Sequence, residues 1–191
     1  MERVKITGEI EISPKKLAQI QEKVINVVEF RKKIEEFLES SATELLETIL
    51  AGAVFLNLSD IHIEPEEERI KLRGRMDGVL HDIVILNLKT YQALLSRIKL
   101  LSALKLNVVD RPQDGRFTIS MAETTVEIRT STLPAEYGEA IVLRLLNPKN
   151  LIEVESLGLR KDLVSVFEKE IKKPNGMIIV TGPTGSGKRD F

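Results

Sequence analysis

The chain has 191 residues, 42% hydrophobic and 30% charged, with a formal net charge of -1 and no cysteine. This balance suits a soluble globular protein of one medium domain plus extra elements, or two small domains, and excludes a disordered chain, a disulfide framework and a Cys-ligated zinc site. It offers no basic excess for a nucleic-acid partner; no apolar run reaches the length of a membrane span, and MERVKITGEIEISPKK places charges where a signal peptide needs an apolar core, so a cytoplasmic location is expected.

Ser13 followed by Pro14 signals a helix start, a side-chain cap and then a residue with preset φ. From there Leu17, Ile20, Val24, Val27, Val28, Ile34, Phe37 and Leu38 recur at helical spacing. A second helix is expected from Ser41, where Glu44 completes a capping box and Leu45, Leu46, Ile49 and Leu50 supply the apolar face. Residues 1–57 are therefore expected to be a helical cap or docking segment.

The period then changes. In SDIHIEP and RIKLRGRMDG apolar and polar residues alternate, as on half-buried strands. Asp77-Gly78 predicts a tight hairpin turn into VLHDIVIL. Residues 88–106 return to helical spacing, with Leu94, Ile98, Leu101 and Leu104 on one stripe. RFTISM, VEIRTSTLP and EAIVLRLL follow as further strands. Residues 58–147 are expected to form an α+β domain, an antiparallel sheet with a helix packed on it.

Residues 148–191 change character again. SLGLRKDLVSVFEKEIKK predicts a helix that stops before Pro174, and GMIIVTG is a short apolar run of the kind a parallel strand buries on both faces. GPTGSGK follows directly, matching the phosphate-loop pattern G-x-x-x-x-G-K. Gly182, Pro183, Thr184, Gly185, Ser186, Gly187 and Lys188 are the expected nucleotide-binding residues. Glycines let successive backbone N–H groups curl around a phosphate, and Lys188 brings a positive charge to its oxygens. The next position should carry the hydroxyl that binds Mg²⁺, and here it is Arg189. The polypeptide is therefore expected to be a fragment cut within or just after the loop, one that hydrolyses no ATP and binds it weakly at best.

Taken in order, SDIHIEP, RGRMDGVL, RPQDGRF, IRTSTLPAEYGEAIVLRLLNP, SLGL and GMIIVTGPTGSGK resemble the type II secretion and type IV pilus assembly ATPases, the GspE/PilB group. The resemblance covers roughly residues 41–188, and RPQDGRF is closer to the secretion and pilus-extension branch than to the retraction ATPases. It implies a PAS-like domain joined to a RecA-like ATPase domain, of which this chain carries only the start. It further implies a homo-hexameric ring bound to inner-membrane platform proteins. That ring would use ATP and Mg²⁺ to drive assembly of a pilus or pseudopilus. The competing reading is a stand-alone, non-catalytic docking or regulatory module of such a system.

In nucleotide hydrolases, arginines from a neighbouring domain neutralise charge developing on the γ-phosphate. The alternation places Arg73 and Arg75 on one polar face, and the resemblance puts arginines of this domain near the nucleotide; these two are the first candidates. Arg111 and Arg116, which flank the PQDG turn, come next. Arginines on the polar face of a sheet are also found simply solvated, and Arg129 and Arg144 fit structural ion pairs with Glu127 or Glu139. His62 and Glu64 share one side of a strand but have no third ligand in reach, so no metal site is expected.

Overall fold

The computed structural model describes residues 8–121, 124–148, 160–179 and 181. The chain divides into two compact units, Met1–Asn147 and Pro148–Phe191. Among the described residues there are five helices and a seven-stranded sheet, so the chain is a mixed α and β protein.

The first unit opens with β1 (Glu9–Ile12), then α1 (Pro14–Lys23), α2 (Val27–Glu35) and α3 (Ala42–Phe55). Strands β2 (Asp60–Pro65), β3 (Ile70–Met76) and β4 (Val79–Leu86) follow, then α4 (Leu88–Leu101) and strands β5 (Gln113–Met121), β6 (Thr124–Ala135) and β7 (Gly138–Leu146). The strand order is β1-β5-β6-β7-β2-β3-β4, and every neighbouring pair is antiparallel except β1 with β5. One face of the sheet carries Ile61, Ile63, Leu72, Phe117, Ile119, Ile128, Ile141 and Leu143 into a core shared with Phe30, Ile34, Leu45, Leu46, Leu94 and Ile98 of the helices. The segment up to residue 57 and the sheet thus bury one continuous apolar cluster.

Local chemistry explains where the elements begin and end. Ser13 caps α1 by accepting from the Lys16 N–H, with Pro14 in the first helical turn. Ser41 and Glu44 form the reciprocal capping box of α3. The single helix expected across residues 13–38 is instead two. Asn26 takes an extended conformation and its side chain accepts from the Glu29 N–H, which starts α2 afresh. The break turns α2 so that Phe30 and Ile34 enter the core while Arg31 reaches the outer strand. There Arg31 donates to the carbonyls of Ile83 (2.6 Å) and Asp82 (3.1 Å), beside a register shift in the β3–β4 ladder. A charged side chain over these carbonyls protects an edge strand from pairing with another chain.

Asp77 and Gly78 both have positive φ, 50° and 81°, between β3 and β4, as the two-residue hairpin reading requires. Helix α4 stops at Leu101, short of the residue 106 expected from the apolar stripe. Ala103 sits at φ 57°, the Leu104 N–H bonds the Lys99 carbonyl and the Ala103 N–H bonds that of Leu100. This is the Schellman arrangement, and α3 ends the same way with Asn57 at φ 56°.

Helices α2 and α3 touch at Gly52, where a Cβ would meet the Phe30 ring at 2.2 Å. Gly52→Ala is expected to lower stability by about 1–3 kcal/mol, overpacking outweighing alanine's better helix propensity of about 1 kcal/mol. The urea midpoint checks this; a midpoint that rises would show that Phe30 has room to move.

In the second unit α5 (Lys161–Ile171) ends before Pro174, as expected. The strand expected over the apolar run is not formed at residues 176–179, and Met177 and Ile179 are exposed. A strand exists only beside a partner, and among the described residues none pairs with this one. The phosphate loop, Gly182 to Lys188, lies outside the described residues.

Candidate functional site

The sheet's second face is polar, and one row across it is rich in arginine. Antiparallel register sets Arg116 of β5 opposite Arg129 of β6, Arg129 opposite Arg144 of β7, Arg144 opposite Asp60 of β2, and Asp60 opposite Arg75 of β3. Four guanidinium groups thus share a single row with one carboxylate. The Arg129 and Arg144 side chains are 68% and 57% exposed. Like charges directly opposite on neighbouring strands are destabilising, so the Arg116–Arg129–Arg144 run works against the sheet in the absence of an anion.

Asp60 is the row's internal counter-charge. It is 5% exposed, and its carboxylate accepts from Arg144 Nε (2.9 Å) and Ser59 Oγ (2.9 Å), with Arg75 Nε at 3.4 Å. Burial by itself would raise its pKa. The hydrogen bonds from Arg144 and Ser59, with the charges of Arg144 and Arg75, outweigh burial and hold the group below the usual aspartate value. A depressed folded-state pKa gives stability that is present above the unfolded value, about 3.9, and is lost as pH falls through the folded one. Acid unfolding curves of the chain and of Asp60→Asn are therefore expected to converge below about pH 4. Curves that stay parallel down to acid would mean that Asp60 is not responsible.

The other candidates sit in different surroundings. Arg73 shares the face with Arg75 but is tied to Glu64 (3.1 Å) and Asp82 (2.8 Å). Arg75 also donates to the Gly78 carbonyl at 3.1 Å. Arg111 lies exposed in the loop between α4 and β5, and Arg116 is exposed on β5. Among the described residues neither has an ion-pair partner. Arg129 makes a loose pair with Glu127 at 3.5 Å, whereas Arg144 pairs with Asp60 rather than with Glu139. Glu139 instead faces inward, where Lys99 holds it at 2.6 Å. The His62 ring lies 3.2 Å from Glu64, and among the described residues no three metal-ligating side chains converge. The residue after the loop lysine is Arg189, which has no hydroxyl to offer Mg²⁺. Among the described residues no helix is long and apolar enough to cross a membrane.

Strand alternation identifies the face of each arginine; it leaves the row itself hidden. Arg129 and Arg144 join Arg116 only through the pairing of β5, β6 and β7, and Asp60 joins them only because β2 lies beside β7. The signal available beforehand was the short Glu136–Tyr137 turn, which fixes the β6–β7 register.

The family model for type II/IV secretion system proteins matches residues 35–189. The chain belongs to this family. It is 40% identical over 153 residues to type II secretion system protein E of Xanthomonas campestris pv. campestris, covering 78% of this chain and 27% of that protein. It is 36% identical over 152 residues to the type IV pilus assembly ATPase PilB of Acinetobacter baylyi, covering 78% and 26%. The chain thus spans about a quarter of the length of these relatives. Among solved structures it is similar to the pilus retraction motor PilT with bound ADP, with a TM-score of 0.49, 25% identity, and coverage of 74% of this chain and 39% of that one.

Proposed function

We propose that the chain is the N-terminal portion of a motor ATPase of a secretion or pilus assembly system. In this reading residues 58–147 form its PAS-like domain and residues 148–191 begin its RecA-like ATPase domain. The arginine row carries the proposal. Exposed guanidinium groups, aligned across five strands with a single internal carboxylate, suit a polyphosphate, which offers planar, bidentate acceptors over a comparable span. The relatives supply the class of anion: one of them is named an ATPase.

In the whole protein, Gly182 to Lys188 hold the phosphates of ATP through backbone N–H groups and the lysine charge. Arg75, Arg116, Arg129 and Arg144 on the sheet, with Arg111 in the loop ahead of β5, neutralise charge that grows on the γ-phosphate. Arg73 contributes less while Glu64 and Asp82 hold it. The protein works as a cytoplasmic homo-hexamer docked on inner-membrane platform proteins. The 191 residues by themselves, about a quarter of the relatives' length, do not turn over ATP.

ATP turnover by the full-length protein tests the reading, with Arg73, Arg75, Arg111, Arg116, Arg129 and Arg144 exchanged one at a time for alanine. A loss of rate with an unchanged unfolding midpoint supports it. Undiminished turnover in all six variants would falsify it.

A further inference from the structure

The loop from Ser102 to Pro112 carries Arg111 and rests on a buried polar cluster. Lys99, in the last turn of α4, is 1% exposed, and its ammonium donates to Glu139 Oε2 (2.6 Å) and to the Val108 carbonyl (2.9 Å). Glu139 is itself pinned through its backbone. The Tyr91 hydroxyl donates to its carbonyl (2.8 Å) and accepts from its N–H (2.9 Å). The Gln113 amide oxygen accepts from the Lys105 N–H (3.0 Å), and its nitrogen donates to the carbonyls of Lys105 (3.1 Å) and Val108 (2.9 Å). The loop's first residue is pressed on β5, since a Cβ at Gly115 would meet the Ser102 carbonyl oxygen at 2.3 Å.

This ion pair is not optimised for stability. Glu139 Oε1 is buried without a hydrogen-bond partner among the described residues. A buried pair of this kind is often replaced by apolar side chains of similar volume at little or no loss. What an apolar pair cannot do is grip the Val108 carbonyl. We propose that Lys99, Glu139 and Gln113 are positioning residues that hold the 102–112 loop in one conformation, so that Arg111, five residues ahead of Arg116 in the chain, is already ordered when a phosphate reaches the arginine row. The proposal rests on the phosphate reading of that row. A loop ordered before the ligand arrives removes its ordering entropy from the binding step.

The test is titration of the 191-residue chain with inorganic triphosphate, followed by NMR at the arginine side chains and at the loop amides. In the unmodified chain, Arg111, Arg116, Arg129 and Arg144 are expected to shift together. Lys99→Met with Glu139→Leu keeps the buried volume and leaves no lone charge. Gln113→Ala is a second variant at a half-buried position. In both, the Arg111 shift is expected to vanish while Arg116, Arg129 and Arg144 still respond. The dissociation constant rises about tenfold, the ordering of roughly one loop residue. Loop amides exchange faster while those of β5 and β6 keep their protection. Unaltered loop exchange with an unaltered Arg111 response overturns the positioning role and leaves the phosphate reading standing. Absence of any shift at Arg116, Arg129 and Arg144 in the unmodified chain overturns the phosphate reading, and the role of Arg111 with it.

Discussion

Full-length protein carrying Arg129→Ala is expected to lose about 10³-fold in ATP turnover, the low end for an arginine aimed at a transferring phosphoryl group. The size follows from position and commitment. Arg129 has Arg116 on one side and Arg144 on the other, so three guanidinium charges are adjacent there. Its only counter-ion among the described residues, Glu127, is 3.5 Å away and 42% exposed, which makes an easily surrendered pair. Arg116 should follow closely. Arg144 and Arg75 share Asp60 and must give up part of that interaction to serve an anion, so their exchange should cost less rate. Arg73 holds two carboxylates and should cost least. The loss should appear in kcat more than in KM, because the charge that these groups meet develops in the transition state. The opposite ranking, with Arg73 foremost, would place the nucleotide over the β3–β4 hairpin instead of the middle of the row.

That ranking depends on facts a linear sequence holds unevenly. The Asp77-Gly78 turn is local: two residues able to adopt positive φ stand between two alternating runs, and the hairpin forms as read. The Ser41–Glu44 capping box is equally local. The break at Asn26 is a weaker signal, because apolar residues continue at helical spacing on both sides and only the asparagine's competing hydrogen bond marks the stop. The end of α4 carries still less. Asn57 is a residue that tolerates the left-handed region, whereas Ala103 takes it only because the loop beyond is anchored elsewhere. The EIEI run of β1 alternates, but four residues are too few to tell a strand from a coil, and its partner β5 lies about a hundred residues on. The run at 176–179 shows the converse, an apolar composition that promises a strand where the described residues supply no neighbour. The candidate site is least legible of all. Neither the Asp60–Arg144 pair nor the Lys99–Glu139 pair has a local signature, since each is made by packing of elements far apart in the chain.

The Lys99–Glu139 pair also predicts the largest stability effect. Glu139→Ala is expected to destabilise the chain by about 3–5 kcal/mol, because it strands an ammonium that is 1% exposed and leaves it, among the described residues, only the Val108 carbonyl. Single domains are stable by about 5–15 kcal/mol in total, so this variant should be partly unfolded at modest urea. Lys99→Met with Glu139→Leu should recover most of the loss, since the apolar pair fills a similar volume and ends the desolvation of both charges. Lys99→Met alone should fall between them. It leaves a buried carboxylate, but that group can take up a proton, a route to neutrality that a stranded ammonium finds harder to match at neutral pH. Urea unfolding of the four chains closes a double-mutant cycle, and a coupling well above 1 kcal/mol is expected. If the double exchange costs as much as Glu139→Ala, the pair is needed for stability in its own right. The case for a loop grip retained at the expense of a better core would then fail, whatever the arginines do.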